Sequence, residues 1–243
     1  MFRSQYDSDI TIWSPQGRLH QIEYASEAVK QGTAAVGLCS PTHAVLLGIK
    51  RSHGELASHQ RKLLQVDDHI GIAIAGLTSD ARVLSTFMRS KALASKTQVG
   101  RAVPVGRLVR EVACKAAANT LEYGKRPYGV GMLVAGVDDA GAHLFEVAPD
   151  GRFMEYRAMA LGARSQSART CLEKHLQALA GGGCSVEELV KIGLSALKDT
   201  VPTAEAENWM AGVSVGIVGV GQEWRMIEGA ELVAFCSGMD VSE

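Results

Sequence analysis

Hydrophobic residues along this chain follow two spacings. In some stretches they form short unbroken runs, and in others they recur every three or four positions. The unbroken runs predict strands over residues 34–39 and 44–49, separated by Pro41-Thr42, and over 62–66 and 70–75, separated by Asp67-Asp68. A second block of strands is predicted over 130–137 and 143–147, around the turn residues Asp138-Asp139-Ala140-Gly141. Weaker strands follow at 153–156 and 158–161, and two more at 212–218 and 224–227.

The wider spacing predicts helices. Residues 78–93 place Ala81, Leu84, Phe87 and Met88 on one face. Residues 105–123 do the same with Leu108, Val109, Val112, Ala116 and Leu121. Residues 165–179 carry Ala168, Leu172 and Leu176, and 186–198 are apolar at 186, 189, 190, 194 and 197, the cleanest period in the chain. Ser185 suits the N-cap of that last helix, and Glu187 and Glu188 suit its first turn, where the helix dipole favours negative charge. A short helix is predicted at 230–235. Another, at 19–30, precedes every strand; it carries Leu19, Ile22, Ala25 and Val29 at helical spacing, and Gly32 closes it. Ser14-Pro15-Gln16-Gly17 before it reads as a turn, as does Gly181-Gly182-Gly183 between two later helices.

The order is therefore strands, two helices, strands, two helices, strands. Strands that arrive in hairpins build antiparallel sheets. Runs that are apolar at nearly every position, rather than at every second one, belong to sheets covered on both faces. The arrangement that meets both conditions is an α+β, four-layer αββα sandwich: two sheets face to face with a helix pair outside each. One domain over residues 1–243 is expected, with an N-terminal tail and helix (1–32), the sandwich (33–236) and a polar tail (237–243). The leading helix has an apolar face of its own and needs somewhere to bury it.

Composition narrows the function. The 243 residues are 47% hydrophobic with a net charge of −1, enough for a large core and too little positive charge for a polyanion partner. Lys50-Arg51 and Lys125-Arg126, the densest basic pairs, are too short to bind nucleic acid. The five cysteines are scattered and none forms a CxxC pair, which favours free thiols in a reducing compartment. The polar start lacks the apolar core of a signal peptide, and no apolar run is long enough to span a bilayer, so a soluble, intracellular protein without membrane contact is expected. The seven histidines have no ligand spacing and no phosphate-binding glycine loop occurs, so neither metal nor cofactor is expected.

The opening segment is the most specific signal. Tyr6-Asp7-Ser8-Asp9-Ile10-Thr11-Ile12-Trp13-Ser14-Pro15-Gln16-Gly17-Arg18-Leu19-His20-Gln21-Ile22-Glu23-Tyr24-Ala25 closely resembles the N-terminal signature of proteasome alpha-type subunits. The likeness continues through Glu27-Ala28-Val29-Lys30-Gln31-Gly32. It recurs at Gly76-Leu77-Thr78-Ser79-Asp80-Ala81-Arg82, Arg126-Pro127-Tyr128-Gly129-Val130-Gly131 and Gly162-Ala163-Arg164-Ser165-Gln166-Ser167-Ala168-Arg169. The resemblance implies the αββα sandwich and a place in a seven-membered alpha ring stacked on a beta ring, in cytoplasm and nucleus. The implied partners are other alpha subunits, beta-ring subunits and a regulatory particle or other activator. Unfolded substrates of ubiquitin-dependent degradation would pass through the ring.

The resemblance also implies site residues. Gly32-Thr33-Ala34-Ala35-Val36-Gly37 is similar to the start of the catalytic beta subunits, which puts Thr33 at the nucleophile position and Lys62 at that of the catalytic lysine. A self-processing threonine hydrolase is the rival reading, since a Thr hydroxyl can attack an amide with its own free amine as base. Against it, the beta-type aspartate falls near Lys50, the supporting serine falls on Ala163, and Thr33 follows an ordered helix rather than a cleavage point. The better match is a pocket for the C-terminal carboxylate of an activator, formed by Lys62, Glu23, Gly32 and Leu77. A lysine suits that role as a mobile point charge; the plain alternative is a solvated surface lysine. Tyr6, Asp7, Pro15 and Tyr24 match the family's gate cluster, the plain alternative being that the tyrosines only pack the helix. Arg126-Pro127-Tyr128-Gly129 reads as a structural turn feeding a buried strand.

Overall fold

A computed structural model describes residues 5–50, 56, 60–180, 184–202 and 209–237. The expected turn at 181–183 and residues 238–243 of the polar tail lie outside the described residues. Among the described residues, ten strands form two antiparallel sheets of five. The first contains β1 (Ala35–Cys39), β2 (His43–Ile49), β8 (Ala158–Leu161), β9 (Val213–Gly219) and β10 (Gln222–Glu228), in the order β10-β9-β2-β1-β8. The second runs in chain order through β3 (Leu63–Asp67), β4 (Ile70–Gly76), β5 (Val130–Asp138), β6 (Gly141–Val147) and β7 (Phe153–Glu155). The expected hairpins form, with one difference. β7 and β8 are separated by two residues yet lie in opposite sheets. The chain crosses there because Tyr156 donates its N–H to Leu144 O of β6, at 2.8 Å, while Arg157 O accepts from Cys39 N of β1, at 2.7 Å.

Strand residues divide by face. Val36, Leu38, Val45, Leu47, Val215 and Ile217 point outward to a cluster with Ala168, Leu172, Leu189, Val190, Leu194 and Leu197. The latter sit on α4 (Ser165–Lys174) and α6 (Val186–Lys198). Ile70, Ile72, Ile74, Met132 and Val134 meet Leu84, Met88, Leu108 and Val112 of α2 (Thr78–Val99) and α3 (Val105–Ala118). Between the sheets lie Ala35, Ala44, Leu46, Ala73, Ala75, Leu133, Ala135, Leu144 and Trp224. These four layers are the expected sandwich. Alanines alternate with leucines in this inner layer, and Trp224, from the edge strand β10, packs between the sheets. A register shift between Gln222 and Arg225 accompanies that placement, and Trp224 N donates to Asp68 O of the facing sheet at 2.6 Å. A Cβ at Gly71 or at Gly216 would each fall 2.2 Å from the indole ring.

Three helix limits differ from the periodicity. α2 runs on to Val99, where Gly100 stops it in the left-handed region at φ 75. α3 ends at Ala118, so Leu121 is not part of its apolar face but 77% exposed in the following loop. The helix expected over 165–179 is broken at His175 into α4 and α5 (Leu176–Ala180). Ser185 caps α6 in a full capping box, accepting from Glu188 N while Glu188 accepts from Ser185 N. The chain ends its described part in α7 (Ala230–Ser237).

Candidate functional site

The helix α1 (His20–Gln31) lies against β4 and β5 at one end of the sandwich. Its inward residues are His20, Ala25 and Val29, and Val29 reaches the inter-sheet core. Ile22 is half-buried and Tyr24 exposed. The approach of α1 to the sheet is set by backbone contact: a Cβ at Gly32 would sit 2.4 Å from the nitrogen of Gly76. Gly32 has an extended conformation, φ −66 and ψ 152, so it is not the left-handed cap that the sequence suggests. Close packing, not backbone freedom, excludes a side chain there.

The segment before α1 is tied back onto it. Tyr24 donates its hydroxyl to Oδ2 of Asp7 at 2.9 Å, and the Gln21 side chain donates to the carbonyl of Asp7. Tyr6 is half-buried beside this anchor. Pro15 occupies the second position of the Ser14–Gly17 turn, closed by Gly17 N to Ser14 O at 2.9 Å. Ile10 is 1% exposed, which pins the middle of the segment. Asp9 binds the N–H of Thr11, the bond that most lowers its pKa, and also accepts from Gly124 N of the loop after α3.

The four residues of the implied pocket are placed unequally. Gly32 touches Gly76, and Leu77 follows directly, 46% exposed, with its N–H donated to Gly129 O at 2.9 Å. Lys62 lies one residue before β3, its carbonyl accepting from Ile74 N of β4, so it shares that end of the strands. It is only 4% exposed, which is at odds with a solvated surface lysine. Glu23 of α1 is already engaged: Arg18, just ahead of the helix, holds it through two hydrogen bonds, 2.5 and 2.9 Å, and this lowers the Glu23 pKa and raises that of Arg18.

Thr33 donates its hydroxyl to Ile49 O at 2.8 Å, and its nitrogen is bonded to Gly32. The segment 162–163 clamps this junction from above. Ala163 N donates to Gly32 O at 2.7 Å, and Gly162, at φ 90, leaves no room for a Cβ against Thr33 O. Lys50 pairs with Glu228 at 2.9 Å, and Ser214 donates to the same carboxylate. Burial raises the Glu228 pKa, but the Ser214 and Lys50 contacts outweigh it and the net shift is downward.

One pairing was not visible in the sequence. Asp80, 5% exposed near the start of α2, is gripped by the Arg126 guanidinium and accepts from Gly129 N at 2.9 Å. It therefore joins the Gly76–Arg82 stretch to Arg126-Pro127-Tyr128-Gly129, two motifs that stand apart in the chain. A charged residue at a position that packs like core was the available sign.

The chain matches the family described as "Proteasome subunit" over residues 29–217, and the N-terminal signature of the A-type members of that family over residues 6–28. It is 53% identical to the probable proteasome subunit alpha type-6 of Schizosaccharomyces pombe, over 94% of this chain and 83% of that protein. It is 49% identical to proteasome subunit alpha type-1 of Dictyostelium discoideum, over all of this chain and 97% of that protein. Proteasome subunit alpha type-6 of Saccharomyces cerevisiae is 41% identical over 97% of this chain and 100% of its own length. The signature those matches pick out is the segment anchored by Asp7, Ile10 and Tyr24 and continued by α1, so the chain belongs to the proteasome subunit family, in its alpha type.

Proposed function

We propose that this chain is a non-catalytic structural subunit of the alpha ring of the 20S proteasome. In this reading it contributes to ring assembly, to gating of substrate entry and to docking of activator tails, in cytoplasm and nucleus. The observation that carries the reading is the packed N-terminal segment: α1 and its tail are ordered against the sandwich directly ahead of Thr33. A free amine at Thr33 would require their removal, and with it the loss of the Gly32–Gly76 contact and the Val29 core position. The threonine hydrolase reading is further weakened by Lys50, which is paired to Glu228 where that chemistry needs a carboxylate beside a lysine.

Tyr24, Asp7, Tyr6 and Pro15 are proposed as the gate anchors. A tail that must switch needs a small number of hydrogen-bonding anchors, and the Tyr24 hydroxyl and Gln21 side chain both hold the tail at Asp7. Lys62, Gly32 and Leu77 are proposed as the activator pocket, supported by their common end of the strands; Glu23 would line it with its charge already matched by Arg18. The test is affinity purification of the tagged chain followed by native mass spectrometry. Co-purification with six other alpha-type chains and beta-type chains is the expected result; a stable monomer or an assembly of this chain alone would refute the proposal.

A further inference from the structure

At the opposite end of β5 from α1, a histidine is held from two sides by negative charge. His143 of β6 has Nδ1 2.6 Å from Oε1 of Glu155 on β7, and Nε2 3.0 Å from Oδ1 of Asp138 at the end of β5. An ionised carboxylate can only accept, so both bonds together require hydrogen on both ring nitrogens, the imidazolium state. Asp138 is itself bound by the N–H of Ala140 at 2.9 Å and by that of Val105, the first residue of α3, at 3.2 Å. A doubly protonated ring therefore ties together three strands and the start of a helix. β7 is the strand with least else to hold it: it is three residues long, lies at the sheet edge, and has Met154 54% exposed.

We propose that His143 is a proton-dependent clasp that holds the edge strand β7 and the start of α3 to the β5–β6 hairpin. The groups facing the imidazole are Asp138 from β5 and Glu155 from β7, with the Phe145 ring stacked from β6 at 6.0 Å. α3 reaches the cluster through the Val105 N–H on Asp138, and β1 places the Cys39 thiol within the field of Glu155. When the ring loses one hydrogen, one carboxylate meets a lone pair instead of a donor and that contact opens. Glu155, the more exposed of the two, is the one that leaves.

Burial lowers the pKa of His143, but the bond to Glu155 and the charge of Asp138 outweigh it, so the folded value lies above that of free histidine. The clasp is thus fully closed below the unfolded pKa of about 6.5 and opens as pH rises through the higher folded value.

Hydrogen–deuterium exchange with mass spectrometry tests this on the full chain in its purified assembly. Rates are corrected for intrinsic pH dependence with an unstructured peptide of the same sequence. Protection over residues 143–156 should fall between pH 6 and 8.5, roughly tenfold for each unit by which the folded pKa exceeds the unfolded one. His143→Gln should remove the pH step, and Glu155→Gln, which keeps the imidazole and Asp138, should shrink it. Corrected protection that stays flat in the unmodified protein, or a step that survives in His143→Gln, would overturn the proposal.

Discussion

Asp80 and Arg126 are 46 residues apart in the chain and joined by two parallel hydrogen bonds of 2.7 and 2.8 Å. The Asp80 side chain is buried while that of Arg126 is largely exposed, so Asp80 is the partner whose loss matters. Asp80→Asn keeps the shape and removes the charge-assisted bonds; a loss of about 2 kcal/mol in urea unfolding is expected.

The same carboxylate carries a pH signature. The Arg126 bond is the main cause that holds its pKa below the ordinary value, against the effect of burial. A depressed carboxylate pKa contributes stability above the unfolded value, near 3.9, and that contribution is lost as pH falls through the folded value. Asp80→Asn should therefore flatten the acid limb of the stability profile. An acid limb of unchanged slope in the variant would contradict this assignment.

Gly71 leaves the space that the Trp224 ring occupies between the sheets. Gly71→Ala should force the ring to shift and destabilise the fold by about 1–3 kcal/mol, with a changed tryptophan emission. Unaltered emission and stability would mean that the ring does not pack there.

Ser185→Ala removes one half of the capping box on α6, whose Leu189, Leu194 and Leu197 fill the outer core of the first sheet. Thermal unfolding should show a loss of about 1 kcal/mol. Because the cap lies far from α1, assembly should be unaffected once the chain is folded.

Much of this was legible in the sequence. Unbroken apolar runs such as Ile70 to Ala75 read as strands covered on both faces, and Val186 to Lys198 read as a helix with the ends it has. What was not legible depended on contacts between distant segments. Leu121 looks like a continuation of the apolar face of α3, but it lies five positions after Ala116, roughly 140° round a helix from it, and the helix has already ended at Ala118. Gly32 looks like a cap from its position after a helix, whereas its real constraint is the nitrogen of Gly76. The Lys62 stem is buried because Gly48 of the other sheet leaves room for it, a relation invisible along one chain. The Asp80–Arg126 pair, and the crossing of β7 to β8 between sheets, likewise exist only once the strands are assembled.

Ile22 tests whether α1 stands between neighbouring subunits of the proposed ring. It is half-buried, one turn before inward Ala25, so it keeps apolar surface for a neighbour. Ile22→Asp should cost the isolated fold about 1 kcal/mol while blocking ring formation in native mass spectrometry. Rings that form normally with this change would remove α1 from the interface between subunits.

As the proposed alpha-ring subunit, this chain works with its N-terminal segment in place and has no free amine at Thr33. The direct measurement is the intact mass of the chain denatured out of its native assembly. A mass that includes residues 6–32 ahead of Thr33 is the predicted result and leaves Thr33 acylated. A chain that begins at Thr33 would overturn the structural-subunit reading and favour a threonine hydrolase.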